Sequence, residues 1–208
     1  GLVVVLAVLV VLGSRVRPDL QLGGELPDGS AILADHIQVD EHLGGLYPLQ
    51  VFVETDRQFG CSDPDTFEAL LAVHRRIQAH ETVGGVVSFV TPMQWVAQAK
   101  GRDVAQLTRG PTEMMRHARY RKLYKRAGTV AESALPMALM DGDQSAFVAY
   151  ARMHNHGARA WSDLLDDLRH LDARTEGITV RTEGFVSLAV GAWRRVLPDL
   201  YRVLGLTG

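Results

Sequence analysis

The residue types that most often carry chemistry form short, separate groups in this sequence. His36 and Asp40 lie four residues apart, and His42 follows shortly after. A spacing of four places the first two side chains on one face of a helix, where imidazole and carboxylate could share a metal ion. A solvated helix face with a hydrogen bond or ion pair between them explains the same pattern more simply. We therefore predict no metal site at this group.

Two further groups have the residue types of metal sites but lack the spacing. His154 and His156 are separated by one residue, yet no carboxylate or cysteine completes a familiar set of ligands with them. The segment Asp141-Gly142-Asp143 resembles the start of a calcium loop, but the ligands that should follow it are absent. A hairpin turn explains that segment better. The sequence thus predicts no metal and no cofactor.

Cys61 is the single cysteine, so a disulfide within the chain and a site with several cysteine ligands are excluded. The sequence offers it no obvious basic partner, which a nucleophilic thiol needs. No GxSxG, HExxH or phosphate-binding glycine loop occurs. We predict that the chain has no catalytic residue and is not an enzyme. A hydrolase that uses an unrecognised site near His154 or Cys61 is the enzymatic alternative.

A basic run, RHARYRKLYKR, extends from Arg116 to Arg126 and contains Tyr120 and Tyr124. Basic residues with interleaved aromatic rings can bind nucleic acid or anionic lipid headgroups. A solvated helix face is the simpler interpretation, with a lipid or protein partner as the alternative. The whole chain has a formal net charge of −2, which does not favour nucleic acid as a partner.

The elements that would position these groups alternate between strand and helix. The chain has 208 residues, 47% of them hydrophobic, which is enough for one or two domains with a core. Alternating residues predict a strand over 47–54. Asp63-Pro64 begins an amphipathic helix. The apolar face of this helix carries Phe67, Leu70, Leu71, His74 and Ile77. Gly84-Gly85 would end that unit, and a second strand would cover residues 86–90. These elements form a βαβ unit.

A second βαβ unit follows a middle segment of helices over residues 91–133. It would begin with a hairpin in residues 134–153 around Asp141-Gly142-Asp143, whose clearer strand covers residues 146–152. A helix bearing Trp161 and a strand over residues 178–182 would complete it. Two such units predict an α+β fold of the ferredoxin-like split βαβ type, with residues 91–133 as a helical insertion.

Helices are also predicted at both ends of this sandwich. Ser30 caps a helix over residues 31–43, which Gly44 ends. An amphipathic helix starts at Phe185, and Pro198 would kink or restart it. Residues 2–12 are wholly apolar, too few to span a bilayer, which needs about 20. Three interpretations are open for this run, namely the end of a transmembrane helix, which we favour, the core of a signal peptide, and a buried strand or helix.

Several of these segments together resemble the extracytoplasmic porter domains of RND-superfamily transporters, in the branch of MMPL-type and hopanoid-type exporters. That family has an elbow turn of the form LPx(G/D)S, a helix ending in LGG, a first strand opening with PL(E/Q)V, a helix start at DP, a VxxVxS strand, and VxVTG before a long helix. The matching stretches here are LPDGS at residues 26–30, LGGLYPLQV at 43–51, Asp63-Pro64, VGGVVS at 83–88 and ITVRTEG at 178–184, where Glu183 is one residue extra.

The resemblance implies a domain layout. Residues 1–13 would be the end of a transmembrane helix, and residues 14–45 an elbow with a connecting helix. Residues 46–184 would be the periplasmic porter domain, with its helical insertion at 91–133. Residues 185–208 would be an amphipathic helix that leads to the next membrane span.

The resemblance also implies a function, which is proton-driven export of a hydrophobic or lipid-like substrate across the bacterial inner (cell) membrane. The partners would be that small molecule, the membrane and a second porter domain of the same parent chain, with homo-oligomerisation open and no nucleic acid. The proton relay would lie in membrane helices outside this fragment, and the residues that contact substrate are unknown. The alternative is a membrane-anchored extracytoplasmic binding or assembly domain without transport activity.

Overall fold

A computed structural model describes residues 27, 29–107, 109–172 and 177–203 of the chain. Over these residues the fold is α+β, with one four-stranded antiparallel sheet and seven α-helices. The strands are β1 (Tyr47–Thr55), β2 (Val83–Val87), β3 (Ala146–Met153) and β4 (Ile178–Glu183). The helices are α1 (Ala31–Leu43), α2 (Pro64–Gln78), α3 (Val90–Gln98), α4 (Val104–Leu107), α5 (Glu113–Ala134), α6 (Gly157–Asp172) and α7 (Phe185–Val203). A short 3₁₀ helix (Gly60–Ser62) follows β1.

The strands lie in the order β2-β3-β1-β4, and each neighbouring pair is antiparallel. Tyr47 at the start of β1 is opposite Met153 at the end of β3, and Val83 at the start of β2 is opposite the same residue. Glu183 at the end of β4 is opposite Gln50. The starts of β1 and β2 and the ends of β3 and β4 therefore share one end of the sheet, called here the base.

The core lies between one face of the sheet and the helices α2 and α6. Leu49, Val51 and Val53 alternate along β1 and are fully buried, while Gln50 and Phe52 on the opposite face are partly exposed. This is the period of two that a strand with one covered face requires. The helices bury the apolar stripes that their sequences predicted: Phe67, Leu70, Leu71, His74 and Ile77 from α2, and Trp161, Leu164, Leu165 and Leu168 from α6.

Local signals set the ends of several helices as predicted. The Ser30 hydroxyl accepts a hydrogen bond from the Leu33 amide at 3.2 Å and caps α1. Gly44 ends α1 with a φ of 64°, a conformation that suits glycine. Asp63 caps α2 by accepting a hydrogen bond from the Asp65 amide at 3.0 Å, and Pro64 is its first residue.

Residues 91–133 are mainly helical, as predicted, but the last helix is not short. α5 has 22 residues and runs to Ala134. Tyr120 on this helix is fully buried, and its ring lies 5.5 Å from that of Phe67 on α2. The insertion therefore shares the core of the sheet domain.

Three predicted elements differ from the structure. The second strand is Val83–Val87 and not residues 86–90, because Gly84 and Gly85 lie within it and do not end the preceding unit. The predicted hairpin in residues 134–153 is reduced to a turn and an isolated bridge between Met140 and Phe147, since α5 occupies its first residue. α7 continues through Pro198, so the helix is not restarted there, and the other predicted effect of this proline, a kink, stays a prediction.

The predicted transmembrane end in residues 1–13 and the elbow up to residue 26 lie outside the described residues. Within the part of the chain that the structure describes, no helix combines the length and the hydropathy needed to cross a bilayer.

Candidate coupling site at the base of the sheet

Asp40 joins α1 to the base of the sheet. It is only 8% exposed, and one of its carboxylate oxygens accepts a hydrogen bond from the Leu46 amide at 2.9 Å. The other carboxylate oxygen lies 2.9 Å from Nδ1 of His154, just beyond the end of β3. A buried carboxylate needs such partners, because leaving it unpaired would cost several kcal/mol.

His154 is also held by two further segments. Its amide donates to the carbonyl of Thr82, immediately before β2, at 2.8 Å. Its carbonyl accepts a hydrogen bond from the Trp161 indole on α6 at 2.9 Å. The Asp40 contact therefore connects α1 to a residue that is itself held by β2 and α6.

Aromatic rings extend this contact toward α7. The Tyr47 hydroxyl lies 3.0 Å from Nε2 of His36 on α1. The Tyr47 ring is 5.2 Å from that of Trp161 and 5.5 Å from that of Phe185, the first residue of α7. Burial, and to a lesser extent the nearby Asp40, raise the pKa of Tyr47, so its hydroxyl remains protonated at neutral pH. Both end helices thus touch the same tyrosine.

Glycines allow the backbones to meet at this position. A Cβ added to Gly84 would stand 2.1 Å from the carbonyl oxygen of Gly44, which is much closer than atoms can approach. A Cβ on Gly45 would stand 2.7 Å from the Met153 backbone, and a Cβ on Gly184 would stand 3.0 Å from the Pro48 carbonyl oxygen. We call three contacts together the α1 joint, namely Asp40 with His154, Gly44 with Gly84, and Gly45 with the Met153 backbone.

The structure separates the histidines and carboxylate that the sequence placed in one group. Asp40 points into the base, while His36 turns to Tyr47. His42 is exposed, and its Nδ1 lies 2.7 Å from the Gln38 carbonyl oxygen. His154 and His156 stay near each other, with ring centroids 6.0 Å apart. Among the described residues, no three His, Cys, Asp or Glu side chains are arranged to hold a metal ion.

The segment Asp141-Gly142-Asp143 forms a turn. The Gln144 amide donates to the Asp141 carbonyl, and the Ser145 hydroxyl donates to both aspartate side chains at 2.8 Å. The hydrogen bonds from Ser145 are the main cause that lowers the pKa of Asp143. These bonds fix the turn that leads into β3.

Cys61 is fully buried within the core. Burial raises the pKa of its thiol well above the usual value, and the carboxylates of Asp141 and Asp143 add to this rise. A thiol in this environment stays protonated and is a poor nucleophile.

The two tyrosines of the basic run face inward. Tyr120 donates a hydrogen bond to the Cys61 carbonyl at 2.8 Å, and Tyr124 donates to the Gln144 side chain at 2.9 Å. Arg116 pairs with Asp65 and Glu68 at the start of α2. The rings are therefore not free to stack on bases, and the run lies beside the end of the sheet opposite the base.

Two polar contacts elsewhere join neighbouring elements, one buried and one partly exposed. His74 on α2 lies 2.9 Å from the Ser88 hydroxyl, and burial with the nearby Arg75 charge lowers the pKa of this histidine to about 4. Arg194 on α7 donates to Asp166 on α6 at 2.6 Å, and this bond lowers the pKa of the aspartate. Both contacts fasten elements together.

The sequence did not predict the pairing of Asp40 with His154, nor the part that Tyr47 plays in it. Asp40 and His154 are 114 positions apart, so no local spacing could indicate their contact. Comparison of the chain with protein-family models, with curated proteins and with solved structures gave no match. The geometry of the base is therefore the observation from which a function can be argued.

Proposed function

We propose that this chain is an extracytoplasmic porter domain of an RND-superfamily, MMPL-type exporter that uses proton flow to move a hydrophobic or lipid-like molecule. In this proposal the domain provides part of the substrate path, and the proton-coupling residues lie in membrane helices of the parent protein. Its partner is a second porter domain of the same parent chain. The α1 joint transmits movement between the connecting helix and the sheet.

The observation that carries the proposal is that both end helices meet at the base of the sheet. α1 leads into β1 there, and α7 leaves β4 there, with Tyr47 in contact with residues of both helices. A domain inserted between two membrane spans needs its entry and its exit at the same end. The joint then lies between the membrane and the sheet.

Residues from three of the motifs that carry the family resemblance meet at this end, whereas Asp63-Pro64 lies toward the other end of the sheet. Gly44 and Gly84 belong to two separate motifs and meet through their backbones, and Gly184 from a third motif faces Pro48 from the first strand. Distant motifs that share one contact region favour a common structural role. This role is to set the angle at which the end helices join the sheet.

The strand order supports the finer description of the fold. Two interleaved βαβ units with the antiparallel order β4-β1-β3-β2 match the ferredoxin-like split βαβ arrangement. We therefore infer a ferredoxin-like porter domain, with α3, α4 and α5 as its insertion. The topology alone fits many functions, so the base carries the functional argument.

Labelling from outside the cell tests the placement of the domain. Gly142 is exposed, and a Cβ there would meet no atom within 4 Å, so Gly142→Cys gives a reactive thiol without disturbing the turn. We expect a membrane-impermeant maleimide to label this variant of the full-length parent protein in cells whose inner membrane is intact. The unmodified protein is the matched control, because Cys61 is buried. Labelling only after the inner membrane is permeabilised would contradict the proposal.

A further inference from the structure

One flank of α1 is apolar and uncovered. Asp40 is the only buried residue of this helix, and Leu33 and His36 lie on the same inward side. Ile32, Val39 and Leu43 are exposed by 68%, 44% and 49%. At about 100° per residue, these three side chains fall within a strip about 40° wide along the helix. α1 is therefore apolar along one flank that does not face its own domain, and Ile37, which is 49% exposed, lies about 140° away on the other flank.

The side of α1 that faces away from the sheet is polar. It carries Asp35, Gln38, Glu41 and His42, and α1 contains no lysine or arginine. A shallow groove of about 490 Å³ runs where the apolar flank meets this polar side, and Val39 and Leu43 line it together with Asp35, Gln38 and His42. The groove thus marks the line along which this apolar flank meets polar side chains of α1.

A second uncovered apolar surface lies on α7. Phe185 and Leu188 are exposed in its first turns, and Val196 is exposed further along. In the described part of the chain, 7 of the 11 exposed large hydrophobic residues lie on α1 and α7. Both helices meet at the base, so most of the exposed apolar surface belongs to the two segments that enter and leave the domain.

We infer that the apolar flank of α1 docks onto the surface of the lipid bilayer, with Ile32, Val39 and Leu43 in contact with acyl chains. The inference rests on the proposed function, in which the base faces the membrane. A helix with separate apolar and polar sides can lie in the plane of the interface and bury its apolar side about 5–10 Å deep. The polar residues along the groove would then face the headgroups.

Two observations favour lipid over a protein partner. The wholly apolar run of residues 2–12 precedes α1 in the chain, and the proposed function assigns this run to the membrane. The flank is an open strip on a helix that the sheet holds only by its inward side, which suits a fluid, unstructured partner. Because α1 has no lysine or arginine, docking would depend on apolar contact and not on anionic headgroups.

Spin-label accessibility tests this inference on the full-length parent protein. Cysteine variants Val39→Cys and Leu43→Cys carry the label on the apolar flank, and Gln38→Cys carries it on the polar side of the same helix. The protein is placed with vesicles of phosphatidylcholine, or of phosphatidylcholine with phosphatidylglycerol. The unmodified protein checks that buried Cys61 takes no label.

We expect the labels at positions 39 and 43 to collide severalfold more with oxygen, which partitions into lipid, than with a water-soluble nickel complex. The label at position 38 should show the reverse, and both vesicle types should give the same result. Equal exposure to nickel at all three positions would overturn the inference. Immobile labels at 39 and 43 that reach neither reagent would also overturn it and would indicate a protein partner. Outside labelling of Gly142→Cys with any of these outcomes would leave the proposed function standing.

Discussion

Asp40 is nearly buried and accepts hydrogen bonds from both sides of the junction between α1 and the sheet. Few other contacts hold α1, because it is the helix with the least burial among those at the base. Most of the free energy that stabilises the α1 joint should therefore come from the contact of this carboxylate with His154. A double-mutant cycle measures the coupling free energy of this pair directly.

The variants Asp40→Asn and His154→Gln should each destabilise the chain, and the double variant should cost less than their sum. We expect a coupling free energy of about 1–2 kcal/mol, since a hydrogen bond to a charged group is lost only once. Urea unfolding of the four proteins gives this value. Asp35→Asn, on the exposed side of α1, is the matched control and should change stability by less than about 0.5 kcal/mol. Additive effects of the two substitutions would show that the contact does not hold the joint.

Buried His74 should make the stability of the chain depend on pH. Its pKa is about 4 in the folded chain, against 6.5 for an unperturbed histidine. The unfolded chain therefore binds more protons between these values, and the free energy of unfolding should fall as pH drops from 6.5 toward 4. Stability should not change from this cause above pH 6.5. The loss should be about 2–3 kcal/mol.

The variant His74→Gln should remove this slope, and the exposed His42→Gln should retain it. The comparison uses the free energy of unfolding from urea titrations between pH 4.5 and 7. This range also avoids the titration of Asp166, whose lowered pKa places its contribution at more acidic pH. A His74→Gln protein with an unchanged slope would mean that another group causes it.

Individual side chains were the least predictable part of this molecule. The burial of His74 was indicated by its place in an apolar helical stripe, which depends only on local spacing. The fate of Asp40 depends on His154, which is 114 positions away. The sequence around each residue gives no indication of the other. It therefore indicated only two separate groups of candidate metal ligands, neither of which was predicted to bind a metal.

The strand β2 owes its form to its contact with α1. Gly84 lies against the backbone of Gly44, so only a residue without a Cβ fits at that point. Gly85, the next residue, has space, since a Cβ there would first meet the flexible Arg152 side chain at 3.5 Å. The pair thus offers a test and its control within one strand.

Gly84→Ala should destabilise the chain by about 1–3 kcal/mol, because the two backbones must separate. Gly85→Ala should change stability by less than about 1 kcal/mol, with a small gain possible from reduced freedom of the unfolded chain. Thermal unfolding of both variants checks the difference. Equal effects would mean that α1 is not packed on β2 as closely as described.

α1 should open without the rest of the domain. Only Asp40 is buried along it, whereas β1 and β3 lie in the centre of the sheet with fully buried side chains. Hydrogen exchange measured peptide by peptide should show α1 amides exchanging through local opening, and β3 amides only through global unfolding. Asp40→Asn should speed exchange in α1 alone. Equal protection of α1 and β3 would contradict a movable joint.

Elements with a clear hydrophobic period were predicted well. β1, α2 and α6 have buried residues at the spacing that their sequences indicated, because burial on one face sets that spacing. β2 was misplaced because its two glycines look like a turn, although one of them serves a contact with a distant segment. The hairpin before β3 was predicted longer than it is, since residues 135–139 form no strand and Met140 makes only an isolated bridge to Phe147.

Considered as a whole, the molecule places its entry, its exit and its glycine contacts at one end of the sheet. The basic run of α5 lies by the other end, where Tyr120 bonds to Cys61 beyond β1. The two ends of the domain thus differ, with exposed apolar side chains on the helices at the base and the basic run near the opposite end. This layout suits a domain that stands on a membrane and meets other protein surfaces above it.

The sequence of the parent reading frame on both sides of residues 1–208 tests the central claim most directly. We predict an apolar span of about 20 residues that includes the run at residues 2–12, and about five further spans after Gly208, one of them with a carboxylate inside it. This result would support an exporter in which the described domain moves against a second porter domain. A frame that ends or continues without such spans would contradict transport and would favour an anchored binding or assembly domain.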